Sequence, residues 1–97
     1  MEKKLRETLN KALDTLLKRT LEEHYHHTRK SKFLSHVKSP RDFLLGVIIG
    51  DMFEGLGFCT YGAYERYPKD REFNESLKII QERSGEIRER IEQILRQ

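Results

Sequence analysis

The densest group of side chains able to bind a metal or move a proton lies at residues 22–27, which read Glu-Glu-His-Tyr-His-His. On an α-helix, His24 and His27 project onto the side that carries the preceding leucines, with Glu23 at its margin. Carboxylate oxygen and imidazole nitrogen together suit iron, manganese or zinc. Residues 22–27 are therefore the first candidate metal-binding segment.

A second pair of carboxylates, Asp51 and Glu54, stands one helical turn apart in the most apolar stretch of the chain. A buried carboxylate is costly unless a base, a hydrogen-bond donor or a cation compensates it. If two helices or two chains bring the segments together, the predicted metal ligands are Glu23, His27, Asp51 and Glu54.

The spacing of Glu23 and His26 resembles the Glu-x-x-His motif of ferritin-like di-iron proteins, over about a tenth of the chain. The resemblance implies a di-metal site holding Fe, Mn or Zn inside a helical bundle. Because the second such motif is missing from the sequence, a symmetric partner would have to supply it. Histidines on a solvated helix end, or in contact with phosphate, are the open alternatives.

Positive charge is concentrated in residues 24–41. The chain carries a net charge of +3, and no acidic residue occurs between Glu23 and Asp42. The five bases in this segment are Arg29, Lys30, Lys32, Lys38 and Arg41. Such a segment attracts phosphate, nucleic acid or an acidic partner, and the alternative is a solvated connector between helices.

Hydrophobic periodicity predicts an all-α chain of three helices, at about residues 2–30, 40–66 and 70–96. The pattern leaves open whether the first helix continues to residue 37. Ser39-Pro40-Arg41-Asp42 predicts the start of the second helix, with a serine N-cap, a proline at the first position and an acid at the third. Asp70 is the predicted N-cap of the third helix.

The third helix carries a heptad seam typical of a coiled coil. Its members are Phe73, Leu77, Ile80, Ser84, Ile87, Ile91 and Ile94.

The second helix is apolar on nearly all sides between residues 43 and 58. Gly46, Gly50 and Gly57 fall within about 40° of one another on a helical wheel, which gives a smooth face that another backbone can approach closely. Because a helix that is apolar all round needs cover all round, we expect a long antiparallel bundle completed by homodimerisation or higher self-association. The predicted interface residues are Gly46, Gly50, Phe53, Gly57, Leu77, Ile80, Ile87 and Ile91.

The composition argues against a membrane-spanning or disulfide-bonded protein. Asp51, Glu54 and a mean hydropathy of −0.78 argue against a membrane span, although the second helix is long enough for one. The single cysteine, Cys59, excludes an intrachain disulfide, and no signal-peptide pattern opens the chain. We expect a cytoplasmic protein, and the high content of Glu, Lys and Arg would suit a thermophile.

The 97 residues fit a single domain, 1–97. The sequence holds no Gly-rich phosphate loop, no nucleophile elbow and no paired Cys-x-x-Cys, so no catalytic site is predicted. The predicted function is a small soluble self-associating helical module. The alternatives are a metal-binding helical bundle and a nucleic-acid or phosphate-binding accessory protein.

Overall fold

The computed structural model describes residues 3–97, except for the side chain of Phe33. Within this range the chain is all-helical and contains no strand, which confirms the predicted fold class. The elements are α1 (Lys3–Thr15), a π-helical segment (Leu16–Thr20), α2 (Leu21–Lys30), a 3-10 turn (Phe33–His36), α3 (Pro40–Tyr64), α4 (Asp70–Glu82) and α5 (Ser84–Leu95). The bundle measures 40 × 25 × 20 Å.

The helix count differs from the three that were predicted. The first predicted helix is divided by the π-helical segment, and the third is divided at Arg83. The predicted start at residue 2 lies outside the described residues. The second helix is continuous and ends at Tyr64, two residues before the predicted end.

The π-helical segment follows from the spacing of the buried leucines. The buried positions Leu5, Leu9, Leu13, Leu17 and Leu21 repeat every four residues. A regular α-helix has 3.6 residues per turn, so a four-residue repeat drifts by about 40° per step around its axis. The wider turn of a π-helix compensates that drift and keeps the leucines facing the rest of the bundle.

The α-helix of the first segment does not continue to residue 37. It ends at Lys30, where the N–H of Ser31 donates to the carbonyl of His27 at 3.1 Å. Lys32 adopts a left-handed conformation with φ of 63°, and Val37 is extended. A left-handed residue terminates a helix, so the basic segment is a connector with one 3-10 turn.

The predicted start of α3 is confirmed. The hydroxyl of Ser39 accepts a hydrogen bond from the N–H of Asp42 at 3.2 Å, and Pro40 occupies the first helical position. Proline lacks the N–H that would otherwise be unsatisfied there, so Ser39 and Pro40 fix the boundary together.

The predicted N-cap of α4 is wrong by one residue, because Lys69 precedes the helix and Asp70 is its first residue. The carboxylate of Glu72 accepts the N–H of Lys69 at 2.9 Å, which satisfies an N–H at the helix start. Arg66 donates two hydrogen bonds to the same carboxylate, at 2.7 and 3.0 Å. These bonds, with the hydrogen bonds from Arg66 as the main cause, lower the pKa of Glu72 to about 2.

The break between α4 and α5 is tied to α1 through Arg83. Its guanidinium donates to the carboxylate of Asp14 at 2.6 Å and to the main-chain oxygen of Asn10 at 3.1 Å. It also pairs with Glu86 in the first turn of α5. Because Arg83 contacts both sides of the break, it holds the two halves of the last segment against α1.

The core lies around α3, which contacts α1, α2, α4 and α5. A single ridge of α3 with four-residue spacing is fully buried. Its members are Leu44, Ile48, Met52, Leu56 and Thr60. The helices of the first and last segments therefore cover one side of α3 and leave the opposite side exposed.

Candidate functional site

The uncovered side of α3 is a ridge parallel to the buried one. We call it the outer face of α3. Its members are Gly46, Gly50, Glu54 and Phe58, with Leu45 and Tyr61 on its flank, and all six are exposed. Phe58 is 72% exposed and Tyr61 is 60% exposed. Only 28% of the most apolar 18-residue window of α3 is buried, so the chain alone does not provide the cover that its apolarity demands.

The positions where side chains would stand at the glycines of α3 are empty in the described chain. A Cβ built on Gly46, Gly50 or Gly57 would meet no neighbouring atom within 4 Å, and none of these glycines has a positive φ. Each lowers helix stability by roughly 1 kcal/mol relative to alanine. Neither backbone conformation nor packing among residues 3–97 requires glycine at these positions.

Exposed aromatic rings extend the apolar surface beyond the end of α3. Tyr64 is 43% exposed and Tyr67 is 81% exposed. The rings of Tyr61 and Tyr67 lie 6.1 Å apart, and the guanidinium of Arg66 lies 5.1 Å from the centre of the Tyr64 ring. Contiguous exposed apolar surface of this kind marks sites of interaction more often than an isolated exposed ring does.

An apolar groove opens where the start of α3 meets α5. It has a volume of about 170 Å³. Its lining comprises Arg41, Asp42, Leu45, Ile80, Ser84, Ile87, Arg88, Ile91 and Glu92. The isoleucines form its floor because they are nearly buried, whereas Leu45 is 38% exposed. Arg41 donates two hydrogen bonds to the carboxylate of Glu92 at the groove.

The predicted interface residues fall into three groups. Gly46 and Gly50 lie on the outer face, with half-buried Gly57 beside it. The isoleucines of the heptad seam instead face the core of their own chain: Ile80, Ile87 and Ile91 are at most 7% exposed.

The other two predicted interface residues, Phe53 and Leu77, are half-buried. The ring of Phe53 packs edge-on against Phe73 of α4, with centres 5.0 Å apart. The seam is thus used mainly to join α4 and α5 to α3, and the outer face of α3 is the part left exposed.

The structure disperses the predicted metal ligands. Glu23 is exposed and pairs with Arg19 at 3.3 Å. His27 is exposed, and Glu54, predicted to be embedded among apolar side chains, is also exposed. Among residues 3–97 no three His, Cys, Asp or Glu side chains gather closely enough to hold a metal ion.

One contact does join the two carboxylate-containing segments. The Nε2 of His24 lies 3.6 Å from a carboxylate oxygen of Asp51. Asp51 is half-buried, with 32% of its side chain exposed, so its environment is less apolar than predicted. The helical projection predicts the correct side of the helix for His24, which is not among the four predicted ligands.

The basic segment is partly neutralised. Arg41 binds Glu92, and this contact lowers the pKa of the Glu92 carboxyl. Arg29 donates to the main-chain oxygen of Gln97 at 3.1 Å. Lys30, Lys32 and Lys38 are exposed and form no ion pair within the described part of the chain, so three of the five predicted bases remain available to an anion.

Comparisons with known proteins identify no relative: no protein-family model, no curated protein and no solved structure matches this chain. By length and composition, α3 could cross a membrane, since an 18-residue window has a mean hydropathy of 1.6.

Proposed function

We propose that this protein is a self-associating helical module in which a second copy of the chain covers the outer face of α3. The observation that carries the proposal has two parts. The rings of Phe58 and Tyr61 are exposed on α3. On the same helix, nothing in residues 3–97 requires glycine at positions 46 and 50. Apolar rings beside backbone without side chains allow two helices to pack closely.

Pairing of like faces fits the chemistry of this surface. A two-fold symmetric interface presents the same patch from both subunits, so a surface with both projecting rings and flat glycine positions can complement itself. At roughly 25 cal/mol per Å² of apolar area, covering the exposed rings and the glycine backbone provides a favourable free energy of association.

A membrane span is a weaker proposal for the same helix. α3 contacts α1, α4 and α5, and these helices carry charged outer surfaces, such as the ion pairs of Arg6 with Glu75 and Glu82. Crossing a bilayer would require α3 to leave these helices or to carry their charges into the lipid, where each charge is costly. A water-covered bundle with a protein partner avoids both costs.

The proposal is tested by sedimentation equilibrium of the purified full chain, with and without vesicles of zwitterionic lipid. We expect a concentration-dependent dimer and no sedimentation with vesicles. Gly50→Arg places a long charged side chain on the outer face and should shift the protein to monomer without unfolding it, because a Cβ there meets no atom. Thr15→Arg, which places the same side chain at an exposed position of α1, is the matched control and should remain dimeric.

A monomer at every accessible concentration would refute the proposal, and so would retention of the dimer by Gly50→Arg. Binding to vesicles that Gly50→Arg abolishes would replace it with the membrane proposal.

Two further functions remain as proposals with narrower support. The His24–Asp51 contact favours a metal site completed by a second copy, with Glu23, His27 and Glu54 as added ligands. Elemental analysis of untagged protein tests it, and metal content unaffected by Glu54→Ala would exclude this site.

The exposed lysines of the basic segment favour phosphate or nucleic-acid binding. Such binding should weaken steeply as salt rises, and an affinity that does not change with salt would exclude it.

A further inference from the structure

Phe58, on the outer face, and the groove beside α5 lie toward opposite ends of α3. Leu45, at the groove, and Phe58 are thirteen residues apart, which is about 20 Å along a helix rising 1.5 Å per residue. Phe58 therefore cannot fill the groove of its own chain. Its ring remains 72% exposed, and the groove remains open to solvent.

We propose that in the self-associated protein the ring of Phe58 from a second copy inserts into this groove, and that each chain both donates and receives one ring. This inference rests on the proposed self-association and names its principal contact. The groove of Leu45, Ile87 and Ile91 is then a binding site for an aromatic side chain that is complete only when two chains meet.

The dimensions of the groove suit one ring. Its volume of about 170 Å³ compares with the roughly 150 Å³ of an apolar cavity that holds benzene. Its floor of nearly buried isoleucines offers dispersion contacts to a ring. The guanidinium of Arg41, held in place by Glu92, lies at the groove and can stack on an aromatic face.

The register of an antiparallel pair brings the ring to the groove. If two α3 helices cross at Gly50, where the absence of a side chain permits the closest approach, then residues equally distant from Gly50 meet. Phe58 lies eight residues after Gly50, and Asp42, which lines the groove, lies eight residues before it. Both are about 12 Å from the crossing point.

The same register brings opposite charges together. Glu54 lies four residues after Gly50 and therefore meets Gly46 of the other chain, next to Leu45. Arg88 lines the groove with Leu45, so the exposed carboxylate of Glu54 approaches a base at the rim. A parallel pair would instead align each Phe58 with its equivalent and leave both grooves empty, so the charges and the groove favour the antiparallel arrangement.

A double-mutant cycle on the dissociation constant of the full chain tests the contact. Phe58→Ala removes the inserted ring, and Ser84→Phe fills the groove with a ring from its own chain. We expect each substitution to raise the dissociation constant by about tenfold or more. The double variant should be no weaker than the weaker single variant, because both remove the same contact. Lys11→Ala, at an exposed position of α1, is the control and should leave the dissociation constant unchanged.

The outcomes separate the two proposals. A wild-type chain that is always monomeric overturns self-association and the ring insertion together. A wild-type dimer in which the effects of Phe58→Ala and Ser84→Phe multiply independently overturns the insertion and leaves self-association standing.

A disulfide experiment covers the case in which Ser84→Phe fails to fold. Phe58→Cys and Arg88→Cys are combined in a Cys59→Ser background and oxidised gently. A disulfide needs Cα atoms about 4.4–6.8 Å apart, so a bond between Cys at 58 and Cys at 88 within one chain is sterically excluded. An interchain bond between positions 58 and 88 supports the insertion, and exclusive bonding between the two copies of position 58 refutes it.

Discussion

Replacing Gly46 and Gly50 with alanine separates the stability of the single chain from the strength of its self-association. Within the chain, the new methyl groups meet no atom within 4 Å, and alanine is favoured over glycine in a helix by about 1 kcal/mol. The double variant should therefore raise the free energy of unfolding of the monomer by about 2 kcal/mol. In the dimer, the same methyl groups stand between two backbones and should weaken association.

The magnitude can be expressed as a melting temperature. For 97 residues, an unfolding entropy of about 2.1 cal/mol/K per residue amounts to about 0.2 kcal/mol/K. A gain of about 2 kcal/mol then raises the melting temperature of the monomer by about 10 °C. Melting is followed by circular dichroism on dilution until the midpoint no longer depends on concentration, and sedimentation gives the dissociation constant separately.

Gly55→Ala is the matched control for this experiment. Gly55 lies in the middle of the same helix, away from Gly46 and Gly50 around its axis, and a Cβ there also meets no atom within 4 Å. This substitution should stabilise the monomer by about 1 kcal/mol without changing association. If the double variant destabilises the monomer, the outer face is covered within the chain, and if it leaves the dissociation constant unchanged, the glycines are not in the interface; either result would refute the reasoning.

Three other substitutions test the core, the surface and the acid response. Met52→Ala should destabilise the monomer by about 2–5 kcal/mol in urea unfolding, because Met52 is fully buried, and a loss below about 1 kcal/mol would contradict its place in the core. Phe58→Ala should change monomer stability by less than about 0.5 kcal/mol, and a larger loss would show that the ring packs within its own chain. The pKa of Glu72 is lowered from 4.5 to about 2 by Arg66, so the stability that this carboxylate contributes, up to about 3 kcal/mol, is present above pH 4.5 and is lost as pH falls toward 2. In Glu72→Gln, urea midpoints should depend less on pH over that interval, and an unchanged acid dependence would contradict the lowered pKa.

The start of α3 could be predicted from the sequence because interactions between neighbouring residues determine it. The hydroxyl of Ser39 and the ring of Pro40 act on neighbouring backbone groups, so their effect does not depend on the rest of the fold. The start of α4 was harder to predict. The carboxylate of Glu72 accepts a hydrogen bond from the N–H of Lys69, so the helix begins one residue earlier than an N-cap at Asp70 would give.

The exposure of the candidate ligands could not be read from the sequence. A helical wheel treats α3 as apolar all round and so places Glu54 among apolar neighbours. In the fold, the other helices bury only the ridge through Met52 completely, and the ridge through Glu54 is left exposed. The four-residue spacing of Gly46, Gly50, Glu54 and Phe58 was the signal that could have identified the outer face, since it parallels the buried series.

The π-helical segment Leu16–Thr20 determines which side chains of α2 face α3. If the same five residues instead formed a regular α-helix, everything after them would turn by about 100°. Tyr25, which is 8% exposed, would leave the core, and His24 would turn away from Asp51. The wider π-helical turn therefore sets the rotation of α2, which carries the histidines, relative to α1, which carries the leucines.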